Sequence, residues 1–190
     1  MQLNNTIIYL IGFAGVGKFT IAKELAKLDE FRIVDNQLIN NPVFNVVEAE
    51  EGAFPLYVWR QIRKIREVVF ETIKHYSPDD MNFIFTNELF EGQKGELPLY
   101  KQVEEIVKSR ESQFFPVRLL VDKEQHRKRL TSPDRKEKLK VTDEAHLDRI
   151  DGFEVLKPNH QNLINLDTTK LSALQSAEHI LNKIKEIKCQ

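Results

Sequence analysis

The sequence predicts an α/β fold of three layers, with helices on both faces of a five-stranded parallel sheet. Three observations carry this. Short apolar runs rich in β-branched and aromatic residues recur along the chain, stretches with helical spacing separate them, and a glycine-rich loop joins the first run to the first helical stretch.

The elements follow in order. Thr6 to Ile11 is an unbroken apolar run, as expected of a strand buried on both faces of a parallel sheet. After the glycine loop, KFTIAKELAKL places Ile21, Leu25 and Leu28 at helical spacing. FRIVD reads as the second strand and ends in Asp35. In VWRQIRKIREVVFETI the stripe Trp59, Ile62, Ile65, Val69 and Ile73 predicts a long helix, with Arg66 near the centre of the stripe, Arg63 at its edge and Arg60 beyond it. NFIFT, FFPVRLLVD and NLINLD supply three further strands, and a last helix is predicted from about Leu171 to Ile187.

Composition bounds the answer. At 190 residues and 22.2 kDa the chain fits one domain, residues 1–190, because cores commonly span about 100–200 residues. A formal net charge of −1 and a pI near 6.5 leave no broad positive field for nucleic acid or an anionic membrane. Cys189 is the one cysteine, so a reducing, cytoplasmic setting is the default expectation. The opening MQLNNTIIYLIG has no basic leader, and its apolar run stops at Gly12, which predicts a soluble protein without a signal peptide or membrane span. A monomer or homodimer is expected. The five histidines show no metal-ligand spacing and read as surface or packing residues.

The chemistry concentrates in IGFAGVGKFT. Gly12, Gly15 and Gly17 let the backbone turn its N–H groups around phosphate oxygens, the following helix adds its positive N-terminal end, and Lys18 brings a mobile charge to the β and γ phosphates. The G-x-x-x-x-G-K spacing is complete and lies between a strand and a helix, so Gly12, Phe13, Ala14, Gly15, Val16, Gly17, Lys18, Phe19 and Thr20 are the candidate nucleotide-binding segment, a Walker A motif. The position after the lysine, where a hydroxyl usually ligates Mg²⁺, is Phe19. Thr20 follows one position later.

This stretch resembles the P-loop of the nucleoside monophosphate kinase group, in which lysine is followed by a residue without a hydroxyl and then by threonine; those enzymes have glycine where GKFT has Phe19. The wider pattern looks like the small-molecule P-loop kinases, including shikimate kinase and chloramphenicol phosphotransferase-like proteins. The resemblance implies the P-loop nucleoside triphosphate hydrolase fold, strand order 2-3-1-4-5, with ATP and Mg²⁺ as cofactors. Mg²⁺ would be held through water and phosphates rather than by a direct protein ligand, Thr20 being the hydroxyl available for one.

On the acceptor side, Asp35 lies at the carboxyl edge of the second strand, where ligands bind in open α/β sheets. The resemblance implies a base for an acceptor hydroxyl; local propensity equally predicts a cap for the helix that follows. Arg66 would bind an acceptor phosphate or carboxylate, or else form a structural ion pair or snorkel to solvent. Thr86, Asn87 and Glu88 follow the third strand at the same edge, and the strand itself lacks the aspartate of a conventional Walker B segment. The basic stretch KEQHRKRLTSPDRKEKLK resembles a nucleotide-kinase lid, about residues 127–141, with Arg129 on the nucleotide side and Arg135 reaching the phosphates. Asp167, Thr168 and Thr169 would lie near the nucleotide base, or Asp167 or a threonine would cap the last helix.

The expected function is transfer of the γ-phosphoryl group of ATP to a small-molecule hydroxyl or phosphate acceptor, carried by Lys18, Asp35, Arg66 and Arg135. A nucleotide-binding regulatory protein or weak ATPase is the alternative reading. A polynucleotide end kinase fits less well, because it needs a basic groove.

Overall fold

The computed structural model describes residues 3–48, 54–131 and 145–189. In chain order the elements are β1 (Thr6–Ile11), α1 (Lys18–Leu28), β2 (Phe31–Asp35), α2 (Asn36–Phe44), α3 (Leu56–His75), β3 (Asn82–Asn87), α4 (Glu96–Ser109), β4 (Gln113–Leu120), α5 (Lys123–Leu130), α6 (Ala145–Arg149), β5 (Ile164–Asp167) and α7 (Ala173–Lys188).

The five strands form one sheet in the order β2-β3-β1-β4-β5, and every pairing is parallel. Parallel pairing requires a crossover between neighbours, and the crossovers place helices on both faces. Alternate side chains of β1 divide between those faces. Ile8 and Leu10 pack with Ile21 and Leu25 of α1 and with Ile180 and Ile184 of α7. Ile7, Tyr9 and Ile11 pack with Phe70 and Ile73 of α3 and with Val103 and Ile106 of α4. All six residues of β1 are buried, so the unbroken apolar run has two hydrophobic faces to satisfy rather than one. Each such side chain contributes about 1.5–3 kcal/mol relative to exposure.

Two predicted details shift. The last helix begins at Ala173, because Ser172 caps it: its hydroxyl accepts from the Gln175 N–H, and the Gln175 side chain accepts from the Ser172 N–H. Neither Asp167 nor a threonine is its cap. Trp59 also leaves the predicted stripe. The buried residues of α3 are Val58, Ile62, Phe70 and Ile73, while Trp59 is 43% exposed and meets Phe44 and Phe54 instead.

All five strands point their carboxyl ends the same way, so the β1–α1 loop, Asp35, Glu88 and the start of α5 gather at one edge. Among the described residues no helix is long and apolar enough to cross a membrane.

Candidate functional site

The loop between β1 and α1 is built on positive backbone angles. Gly15 has φ +91° and Gly17 has φ +106°, a region that side chains other than glycine rarely enter, and Gly17 leads directly into Lys18, the first residue of α1. The amides at the start of a helix have no partners within it and form the positive end of its dipole. The Lys18 ammonium curls over the loop and donates to the carbonyls of Gly12 at 2.7 Å and Phe13 at 2.9 Å.

Gly12 is tight for a different reason. A Cβ there would lie 2.9 Å from Val16 Cγ1 and 3.0 Å from the Leu119 carbonyl oxygen of β4, which is part of the sheet and cannot retreat. We expect Gly12→Ala to destabilise the protein by about 1–3 kcal/mol, read as a lowered midpoint in thermal or urea unfolding. An unchanged midpoint would show that the loop yields at no cost.

The loop is braced from behind by α5. His126 Nε2 is 2.6 Å from the Ala14 carbonyl, so this nitrogen carries the proton and donates it, and the imidazole stacks on Phe13 with ring centroids 5.9 Å apart. Burial lowers the pKa of His126, only partly opposed by the Ala14 carbonyl and Glu88. Arg129 extends the brace. Its guanidinium donates to the Val16 carbonyl at 3.1 Å, to the Thr168 hydroxyl at 2.9 Å and to the Thr168 carbonyl at 2.6 Å. Thr168 is itself buried and donates its N–H and hydroxyl to the Leu120 carbonyl. One arginine thus bolts the glycine loop to the β5–α7 loop.

In front of the loop lies a cavity of about 150 Å³ whose lining includes Lys18, Phe19, Thr20, Asp35, Thr86 and Glu88. Two carboxylates face it. Asp35 accepts from the Leu38 N–H at 3.2 Å and from the Thr86 hydroxyl at 2.7 Å, so one oxygen caps α2 and the other is held by β3. The expected helix cap is present, and the same side chain lines the cavity. Glu88 Oε1 accepts from the Ala14 N–H at 2.6 Å and lies 3.4 Å from His146 Nε2 of α6. Burial alone would raise the Glu88 carboxyl; His146, the Lys18 charge and the Ala14 N–H together hold it below the usual carboxylate range. The loop, with its lysine and helix terminus, already carries a carboxylate on one of its amides.

Arg66 stands at the edge of this cavity, where its Nη2 donates to Asn36 Oδ1 at 2.9 Å and Asn36 is part of the lining. Asp167 lies elsewhere. Exposed at the end of β5, it accepts from the Thr169 N–H at 2.8 Å and borders a separate hollow with Asp122, Lys170 and Leu171. Arg135, with Lys136, Lys138 and Lys140, lies outside the described residues, as does most of the expected lid.

The structure therefore brings Gly12 to Thr20, Asp35, Thr86 and Glu88 together, sets Arg66 beside them, and uses Arg129 and Thr168 behind the loop. His126 and His146, read from sequence as surface or packing residues, touch the loop and its carboxylate. His126 does pack, but against the glycine loop. No local signal marks the Glu88–His146 contact, which joins residues 58 apart. Among the described residues no three His, Cys, Asp or Glu side chains form a metal-binding group.

Glu96, at the first position of α4, is a further carboxyl in this neighbourhood. Burial, then the Glu88 charge, pushes its pKa up to about 7 against the opposing Phe90 N–H. Between its ordinary pKa and about 7 the folded protein holds a proton that the unfolded chain has released, so the stability due to this group falls as pH rises through that window. We expect Glu96→Gln to remove that fall, leaving the variant more stable than the parent at pH 8 and little changed at pH 4 in paired thermal unfolding. A stability difference independent of pH would remove Glu96 as the source.

No family model matches the chain, and no curated protein matches it significantly. Solved structures do. A candidate kinase of Chloroflexus aurantiacus J-10-fl superposes with a TM-score of 0.68 at 14% identity, covering 98% of each chain. Shikimate kinase from Acinetobacter baumannii, in complex with shikimate, gives 0.55 at 20% identity over 97% of this chain and 96% of its own. The Mycobacterium tuberculosis APS kinase, in complex with AMPPNP and APS, gives 0.57 at 12% identity over 96% and 99%. The fold is that of the P-loop small-molecule kinases.

Proposed function

We propose that this chain is an ATP-dependent kinase that transfers the γ-phosphoryl group to a small-molecule acceptor. The observation that carries the reading is the single cavity into which the glycine loop with Lys18, and the carboxylates of Asp35 and Glu88, all open. A loop of this kind binds phosphate; carboxylates facing it suit an acceptor hydroxyl and a cation-bound phosphate, not a passive anion site. Of the similar structures, the APS kinase is in complex with AMPPNP and APS, and the shikimate kinase is in complex with shikimate.

In this reading the amides of Gly15 to Lys18 and the start of α1 hold the triphosphate, and the Lys18 ammonium exchanges its two loop carbonyls for phosphate oxygens. The acceptor oxygen attacks the γ phosphorus in line, the bond from that phosphorus to the β–γ bridging oxygen breaks, and ADP leaves. Asp35 takes the proton of an acceptor hydroxyl; with both oxygens already accepting hydrogen bonds, it is fixed in position and aimed. Arg66 orients an anionic group on the acceptor.

The oxygen donors Asp35, Glu88 and Thr20 suit a hard cation, and Phe19 excludes the hydroxyl that would otherwise ligate it directly. Glu88 and Asp35 would hold Mg²⁺ through water, and the ion would supply neutralisation of charge on the phosphates. His126 and Arg129 act through the loop: they keep its carbonyls turned outward, so its amides stay turned toward the phosphates. Arg135 and the basic stretch around it would add positive charge over the phosphates and exclude water. The exposed Cys189 thiol suits a reducing, cytoplasmic compartment.

The test is consumption of Mg·ATP by the purified protein against pools of nucleoside monophosphates, hydroxy acids, sugars and aminoglycoside or amphenicol antibiotics. Stimulation by one pool, with stoichiometric ADP and a phosphorylated acceptor, is the expected result. Tight Mg·ATP binding with no stimulation by any pool would replace the kinase with a nucleotide-binding regulatory protein.

A further inference from the structure

Three aromatic rings stand apart from both cores. Phe44 closes α2 and Phe54 immediately precedes α3; their rings stack with centroids 4.3 Å apart and planes 6° apart. Trp59 meets them edge-on, at 5.6 Å from Phe44 and 6.4 Å from Phe54, and its indole N–H donates to the Phe54 carbonyl at 3.2 Å. None of the three belongs to either buried cluster. The indole has its polar atom satisfied and its ring fixed while 43% of the residue remains exposed. A rigid, half-open aromatic platform of this kind offers contact area at little entropic cost.

The platform continues into charge. Trp59, Arg63 and Arg66 follow spacings of four and three, which place them on one face of α3, with Arg66 about 10 Å along the axis from Trp59. Arg66 ends on Asn36 at the cleft. Neither arginine has a carboxylate partner among the described residues, and Arg63 repels Arg66. Two like charges held on one face, one of them half-buried and bonded only to a neutral amide oxygen, call for an anion. The ring platform and the two arginines therefore run along one face of α3 toward Asn36, which lines the cleft beside Asp35.

We infer that the acceptor is an anion carrying a planar ring, with its ring on Phe44, Phe54 and Trp59, its anionic group on Arg63 and Arg66, and its phosphoryl-accepting oxygen toward Asp35. This rests on the kinase reading and narrows its substrate class. A saturated sugar or hydroxy acid would leave the platform uncovered. An uncharged ring compound would leave the arginines unpaired.

Trp59 is the one tryptophan of the chain, so its fluorescence reports the platform directly. Phenyl phosphate and adenosine monophosphate, two sources of a ring-bearing anion, are titrated into the protein holding Mg²⁺ and a non-hydrolysable ATP analogue. Glycerol phosphate serves as the ringless anion and benzyl alcohol as the uncharged ring. At least one ring-bearing anion is expected to change Trp59 emission and to bind about tenfold more tightly than glycerol phosphate, the size of one aromatic stacking contact. Phe44→Leu and, as a second variant, Phe54→Leu should each bring that ratio toward one while leaving glycerol phosphate and the ATP analogue bound as before. Arg66→Gln should weaken all three anions alike.

Ring-bearing anions that bind no better than glycerol phosphate, or a ratio untouched by both phenylalanine variants, overturn the inference while leaving the kinase reading standing. Loss of ATP-analogue binding by the parent protein overturns both. A dimer in sedimentation that Trp59→Lys dissociates would show that a second copy of the chain covers the platform, and would also overturn the inference.

Discussion

Lys18→Ala is expected to lower phosphoryl transfer, measured as kcat/KM for Mg·ATP, by about a thousandfold, equivalent to about 4 kcal/mol of transition-state stabilisation. The reasoning starts from where the ammonium already sits. At 2.7 and 2.9 Å from two carbonyls of its own loop, it lines the cavity into which we propose that the triphosphate binds. A positive charge in a partly enclosed cavity is worth far more than one in water. The fold should tolerate the change, because α1 keeps its buried face of Ile21, Ala22 and Leu25. Thermal unfolding of the variant should therefore stay within a few degrees of the parent. A variant that turns over at the parental rate would refute the loop as the donor site. One that merely unfolds would show up in the same melting curve.

Asp35→Asn is expected to lower turnover by about 10²–10⁴-fold with Mg·ATP affinity preserved. This substitution separates the cap that the structure shows from the base that we propose. Asparagine caps a helix as well as aspartate does, so the bond from the Leu38 N–H survives. The Thr86 hydroxyl, which donates to Asp35 at 2.7 Å, can rotate and accept from the new amide instead. Stability should therefore change by less than about 1 kcal/mol. What asparagine cannot do is take a proton. Calorimetry with Mg·ATP beside steady-state turnover reads both quantities, and an unchanged turnover would reduce Asp35 to a cap.

Most of the fold was legible because its signals are local. The doubly buried β1 appeared as a run of five apolar residues behind Thr6, and α1 matched its predicted span because Gly17 marks its start and Leu28 ends its periodicity. The start of α7 slipped to Ala173 because Ser172, three residues before Gln175, forms a capping box that competing caps at Asp167 and the threonines could not match. Trp59 was assigned to the buried stripe because periodicity places a residue on a face without saying what that face meets. Phe44 and Phe54 supply the partners, and Phe44 stands on another helix.

The site was legible in parts. The loop and Asp35 follow from sequence spacing and strand ends, which the parallel topology brings to one edge. Glu88 was visible only as one of three residues expected past the third strand, which in fact runs to Asn87; its seat on the Ala14 amide joins positions 74 apart. Arg129 was assigned to the nucleotide side, and its guanidinium does reach the loop, but from behind, through backbone carbonyls 113 and 39 residues away. Such contacts depend on how α5 packs on the loop, which no short stretch of sequence encodes.

The central place of β1 has a consequence for how the protein is made. Its two sheet neighbours are β3 and β4, so a strand that begins at Thr6 finds its second partner only with residues 113–118. At translation rates of about 5–20 residues per second, β1 waits several seconds or more on the ribosome with its five apolar residues uncovered. During that interval the strand that later holds the glycine loop is an exposed apolar segment of the nascent chain. Destabilising changes in β3 or β4 should therefore be felt first as lower yield of soluble protein, before any loss of activity in the molecules that do fold.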